Sequence, residues 1–162
     1  VNQEIKRTLE IMNQRVKEMT AIYHHAVSQY GISDNEFWVW YALLAESEPS
    51  QQSICEMWSL SKQTVNSIIY SMKRKGLVYL ERIPHTRNKK IIRLTQTGRK
   101  YGNIIIKHVY AAEQHAVDKL TLLELQNYIE LLAKYITYLR EGFDKVDVTF
   151  PTDTHINADC DP

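Results

Sequence analysis

Six side chains between residues 62 and 70 have the types and spacing to do chemistry: Lys62, Gln63, Thr64, Asn66, Ser67 and Tyr70. Apolar Val65, Ile68, Ile69 and Met72 interleave with them at helical spacing. A helix here buries one stripe and presents the polar set together on the other. Amides and hydroxyls in such an array can pair with base edges in a major groove, while cations and a phenol suit the phosphate backbone. The expected base contacts are Gln63, Thr64, Asn66 and Ser67. The expected backbone contacts are Lys62, Tyr70, Lys73 and Arg74.

Such an array needs elements that hold it. Ser61 can cap the helix, and Gly76 can end it after the cationic turn Lys73-Arg74-Lys75. A shorter helical pattern follows Ser50, with Ile54 and Met57 or Trp58 on one side, and breaks at Ser59-Leu60-Ser61. Downstream, strand-like runs at 77–81 and 90–94 flank the polar segment 82–89, where Pro84 and its neighbours favour a loop. Arg87 and Lys89 give that loop cations for a backbone or minor groove. Short helix, tight turn, second helix and basic hairpin predict a winged helix-turn-helix. The fold class is therefore mainly α with a small β-hairpin wing, joined to a helical dimerisation region.

The charge distribution agrees. The net charge of +1 says little, but residues 62–100 hold eleven of the twenty Lys and Arg and one of the nineteen acids. Residues 1–61 hold four bases and eight acids, and residues 101–162 hold five and ten. A cationic patch between acidic segments is an electrostatic footprint for a polyanion. A solvated charge run is the plainer alternative, and its coincidence with the helix-turn-helix argues against it.

On either side lie long helical patterns. Ile5, Leu9, Met12, Val16, Met19, Tyr23, Ala26 and Tyr30 recur at three and four residues, and Gly31 stops the run. Ser33-x-x-Glu36 reads as a capping box before an aromatic segment, 37–44, that is apolar nearly all round. After the hairpin, Thr95 opens a helix that fades near Lys119. Thr121-x-x-Glu124 then opens a last one, in which Leu122, Leu125, Ile129, Leu132, Ile136 and Leu139 repeat at 3, 4, 3, 4, 3. The N-terminal stripe is too long for a small winged lobe to cover, and the C-terminal seam can pack inside the monomer or against a second copy; together they favour a homodimer built from both ends. The expected segments are an N-terminal dimerisation helix (1–32), the winged lobe (33–96), C-terminal helices completing the dimer (97–141) and an acidic tail (142–162).

The run Ser53-Ile54-Cys55 to Ser61-Lys62-Gln63-Thr64-Val65, then Lys75-Gly76-Leu77-Val78, Arg87 and Leu94-Thr95-x-x-Gly98, resembles the MarR family of bacterial transcriptional regulators. The resemblance covers roughly residues 5–141. It implies a homodimeric DNA-binding repressor, less often an activator, whose second motif helix enters the major groove and whose wing arginine reaches the minor groove. Arg87 falls on that arginine, and Thr86 stands where an aspartate commonly precedes it. The implied partner is double-stranded DNA carrying a pseudo-palindrome, with half-sites about one helical turn apart. The resemblance also implies a pocket where dimerisation helices meet the DNA-binding lobe. Tyr23, His24, Trp38, Trp40, Tyr41, His108 and Tyr110 are available to line it, and aromatic walls with polar tips suit a small aromatic or anionic effector.

Other readings have less behind them. Cys55 sits where a small apolar residue normally packs; as an alternative it is a redox switch. Cys160, in the tail, is the other cysteine. A winged module used only for protein contacts is the second alternative, although it has no need of cations on both recognition helix and wing. The six histidines show no metal-ligand spacing, and no nucleophile elbow, phosphate loop or HExxH appears. No cofactor, metal or enzymatic activity is expected. Two cysteines without a CxxC, no signal pattern and no long apolar run make a cytoplasmic setting the expectation.

Overall fold

The computed structural model describes residues 2–83, 86 and 90–146. In chain order the elements are α1 (Gln3–Ser28), α2 (Asp34–Ala45), α3 (Gln51–Trp58), α4 (Lys62–Arg74), β1 (Val78–Arg82), β2 (Lys90–Leu94), α5 (Gln96–Val117) and α6 (Leu122–Lys145). The two strands pair antiparallel, with Val78 opposite Leu94 and Arg82 opposite Lys90. This is a mainly α fold with one hairpin, as the patterning predicts.

α2 is the hub. Phe37, Val39, Trp40, Ala42 and Leu43 are buried along it, and it touches α1, α3, α4 and β2. A helix covered on that many sides must be apolar around most of its circumference, which explains its aromatic run. Ile54, Val65, Ile69, Met72, Val78, Ile92, Ile105, Ile106 and Val109 complete the same core. Gly102 of α5 is what lets the helix approach: a Cβ there would lie 2.7 Å from the Trp40 ring.

Local capping sets most helix ends. Ser33 accepts from the Glu36 backbone N–H at 3.1 Å. The reciprocal bond, from the Ser33 backbone N–H to the Glu36 carboxylate, is not formed, so only half of the expected box exists. A complete box occurs instead at Ser50 and Ser53, a pair without the usual Glu. Thr121 and Glu124 form the full box predicted at α6. The backbone N–H of Thr121, then its hydroxyl, hold the Glu124 carboxyl below its ordinary range. Gly142 does not end α6, which continues to Lys145. Glycine inside a helix costs only about 1 kcal/mol relative to alanine, so the turn survives it.

By contact density the chain divides into residues 1–115 and the segment from Ala116 onward. In the first unit, α1 buries only Val27; Ile5, Leu9, Val16 and Met19 of its stripe are exposed. In the second, α6 buries nothing, and Leu122, Ile129, Leu132, Ile136 and Leu139 are all exposed.

Candidate nucleic-acid interface

The turn between α3 and α4 is made by Ser59, whose φ of 52° is left-handed. Leu60 N–H closes it by donating to the Cys55 carbonyl at 3.2 Å. Ser61 then caps α4, accepting from Thr64 N–H at 3.1 Å. At the other end Gly76, at φ 69°, completes a Schellman motif. Its N–H donates to Lys73 O at 3.0 Å, and Leu77 N–H donates to Met72 O at 2.9 Å. α4 is therefore a helix with both ends closed and one buried face: Val65, Ile69 and Met72.

On its other face Lys62, Gln63, Asn66, Ser67, Tyr70, Lys73 and Arg74 are all exposed, while Thr64 is half-buried. Seven of the eight expected DNA-contacting side chains thus reach solvent on one helix. Thr64 differs because its hydroxyl lies 2.7 Å from Ser61 Oγ and takes part in the cap. The Arg74 guanidinium stands 6.0 Å from the Tyr70 ring centre, which keeps both at the helix end beside Lys73. Arg87 and Lys89, the expected wing contacts, lie outside the described residues, as does Cys160.

What holds the hairpin against α4 is the segment the sequence shows as Leu94-Thr95-x-x-Gly98. Thr95 Oγ1 donates toward the Gly76 carbonyl at 2.8 Å and the Leu77 carbonyl at 3.1 Å, and accepts from Gly98 N–H at 2.9 Å. One threonine therefore caps α5 and bolts it to the end of the recognition helix. Arg93, one of the eleven cations of the basic stretch, is spent internally. It donates to Glu81 Oε2 at 2.5 Å and to the Ser47 carbonyl at 2.9 Å. The Glu81 hydrogen bond raises its affinity for its proton.

Where α1, α2, α3 and α5 come together the aromatic residues meet. Trp38 stacks on Trp58 at 4.6 Å, and Tyr23, Tyr41 and Tyr110 continue the cluster. Glu113 of α5 ties it together, accepting from Tyr23 Oη at 2.8 Å and from Tyr41 Oη at 3.1 Å. Of the seven expected pocket residues, Tyr23 and Trp38 line a groove of about 280 Å³ with Met19, Thr20, Val27, Asp34 and Phe37. Tyr110 lines a different one. Trp40 is fully buried and fills the core, so it is no pocket wall. His24 turns to Asp34 at 3.0 Å, and His108 bonds Tyr30. Glu113 and Trp58 were missed: neither stands in a local pattern with the groups it meets.

Burial and then Glu113 push the Tyr41 phenol up to about 12, and the same causes raise Tyr23 further and Tyr110 in the same direction. A raised folded-state pKa means the folded chain holds these protons more tightly than the unfolded chain. The contribution is present below about pH 10 and is lost as pH climbs through the folded value. Stability is expected to fall between about pH 10 and pH 12, and less steeply in Tyr41→Phe than in wild type. Chemical denaturation at stepped pH checks this; equal slopes in both proteins would remove the phenol from the account.

A core-anchored helix capped at both ends, preceded by a turn helix and followed by an antiparallel hairpin, defines a winged helix-turn-helix protein. Residues 30–87 match the family model described as MarR family. Over that segment, which runs from just after α1 into the hairpin, the chain is similar to the MarR family of transcriptional regulators. Solved structures share the fold beyond that segment. A MarR family regulator from Neisseria meningitidis is 21% identical, with 85% of this chain and 96% of that one covered and a TM-score of 0.75. AbsC, a MarR family transcriptional regulator from Streptomyces coelicolor, is 17% identical over 87% and 97%, with a TM-score of 0.70. PcaV, a transcriptional regulator from Streptomyces coelicolor solved in complex with its natural ligand, is 17% identical over 77% and 91%, with a TM-score of 0.59. No curated protein matches the sequence. Among the described residues no cluster of His, Cys, Asp and Glu could hold a metal ion, and no helix is long and apolar enough to cross a membrane.

Proposed function

We propose that this chain is a homodimeric, sequence-specific DNA-binding regulator, a repressor, whose grip on its operator responds to a small molecule. The observation that carries the DNA reading is the exposed face of α4, where amides, a hydroxyl and cations stand on a helix rigid at both ends. Gln63, Asn66 and Ser67 read base edges; Thr64 adds its methyl side while its hydroxyl serves the cap. Lys62, Tyr70, Lys73 and Arg74 hold phosphates, with Arg87 and Lys89 on the wing. The winged lobe, 33–96, does this work, and the flanking segments 1–32 and 97–141 serve the dimer in a cytoplasmic protein.

Gln63→Ala should lose operator preference, because a missing bidentate contact costs about 1–3 kcal/mol of discrimination. Selection from random duplexes gives the operator; titrations against it and a scrambled duplex then read the preference. Equal affinity of the wild type for both duplexes rejects specific readout.

The dimer reading rests on the exposed apolar stripe of α1 and, separately, on that of α6. Contiguous apolar faces of this length are rarely left to water. Sedimentation at micromolar concentration should give about twice the 19.0 kDa chain mass. A monomer there sinks the dimer.

The effector reading is supported by the aromatic cluster and its flanking grooves, and by the ligand-bound state of PcaV, a protein of the same fold. A second reading has one observation in its favour. Cys55 is only half-buried and lines a shallow groove with Lys62 and Asn66 of α4, so a bulky oxidised thiol there would crowd the recognition helix. Peroxide relief of operator binding that Cys55→Ser abolishes would move the switch to the thiol.

A further inference from the structure

Arg93 sits on β2 and reaches two other parts of the chain. Its Nε donates to Glu81 on β1, and its Nη1 donates to the Ser47 carbonyl. Ser47 belongs to the short connection between α2 and α3. Further along that connection the buried Pro49 accepts, at its carbonyl, from Ile92 N–H at 2.8 Å. The connection therefore lies along β2, held once by backbone and once by the Arg93 side chain.

The side of the hairpin that carries Arg93 is not the core side. Residues directly opposite each other in an antiparallel ladder point to the same face, and neighbours along a strand point to opposite faces. Val78, Leu80, Ile92 and Leu94 thus share the face turned to the core, and Tyr79, Glu81, Ile91 and Arg93 share the other. Ile91 is nonetheless only 3% exposed, although it lies outside the main core. The outer face is covered as well, and Arg93 on that face bonds the connection.

Glu81 is the one acid in residues 62–100, against eleven Lys and Arg. A carboxylate on a hairpin that meets a polyanion works against binding. Here it holds a planar guanidinium whose second donor then points at Ser47. Such a fork serves two acceptors in fixed directions, which an ammonium does not.

We propose that Arg93 is a positioning residue for DNA binding. It braces the hairpin against the connection that leads into α3, and so sets the angle between the wing and the helix-turn-helix. Arg87 and Lys89 belong to the segment that joins the two strands, so the strands fix where that segment starts and ends. Arg93 itself touches no phosphate. The inference rests on the DNA-binding reading above.

The test has one readout without DNA and one with it, both on the full chain. Exchange of the Ile92 amide, followed by NMR, reports whether the connection stays docked on β2. Arg93→Gln and Glu81→Ala should each speed it about tenfold, while amides inside α4, Ile69 among them, exchange as in wild type. Equal Ile92 exchange in wild type and both variants overturns the brace. With duplex DNA, Arg93→Gln should weaken operator binding about tenfold. Glu81→Ala should weaken it too, although it removes a negative charge; tighter binding would overturn the positioning role. Arg93→Lys should not restore affinity, because an ammonium serves a phosphate but not a two-pronged brace. Full recovery in Arg93→Lys would make Arg93 a backbone contact and overturn the proposal. In an Arg87→Ala background, Arg93→Gln should cost no more than about twofold, since the contact it aims is already gone. An undiminished tenfold loss there overturns the link to the wing. If the wild type binds no duplex, the DNA reading falls, and the exchange rates alone decide the brace.

Discussion

Raising salt from about 50 to about 200 mM is expected to weaken operator binding by about 10³-fold. The estimate follows from cations on the recognition helix. Lys62, Lys73 and Arg74 are exposed on α4, three in each protomer and so six in a dimer. Each phosphate neutralised releases counterions, giving a slope of log affinity against log salt of about −0.9 per contact. Six contacts give a slope of about −5, and a fourfold salt change then costs about three decades. Contacts from Arg87 and Lys89 would steepen it. Arg93 adds nothing to the slope, because Glu81 and the Ser47 carbonyl already hold it. Lys73→Gln should flatten the slope by about two, one per protomer, on operator and scrambled duplex alike. Gln63→Ala should leave the slope unchanged while lowering the ratio of the two affinities. Filter binding or anisotropy across a salt series reads both quantities. A slope that Lys73→Gln does not change would place that lysine away from phosphate, and a slope near zero would remove the electrostatic footing of the DNA reading.

Gly98→Ala is expected to destabilise the first unit by about 3 kcal/mol or more. A Cβ at this position would stand 1.9 Å from the Leu77 carbonyl oxygen, 2.8 Å from its carbon and 3.2 Å from its Cα. All three are backbone atoms, so no flexible side chain can swing clear. Nor can Leu77 simply retreat. Its carbonyl accepts from Thr95 N–H at 3.0 Å, and its own N–H donates to Met72 at the end of α4. Relief requires α5 to move off the recognition helix, which breaks the Thr95 bolt and opens the core around Trp40 and Gly102. Operator binding should therefore fall by more than the folded fraction does. Gly142→Ala is the matched control: it lies inside α6, nothing is within 4 Å of the added Cβ, and helix propensity predicts a gain of about 1 kcal/mol. Urea denaturation of the three proteins checks both signs. A Gly98→Ala midpoint equal to wild type would mean the helix can slide at no cost, contrary to the packing.

The sequence by itself determined the recognition helix. Its apolar period, the Ser61 cap and the cation-then-glycine ending are all interactions within a few residues, so they are legible without knowing the fold. The capping box at Thr121, the hairpin and the exposed polar face of α4 were readable for the same reason. Tertiary structure decided what the remaining groups do. Arg93 reads only as one of eleven cations in a basic stretch until it is seen donating to a carbonyl 46 residues away. Glu113 joins Tyr23 across 90 residues, and His108 meets Tyr30 across 78. His24 and Trp40 read as pocket candidates, yet one pairs with Asp34 and the other fills the core. Pairings of this kind depend on how α1, α2 and α5 pack. Helical period gives the face a residue occupies, but the partner opposite it is chosen only when distant elements close on one core.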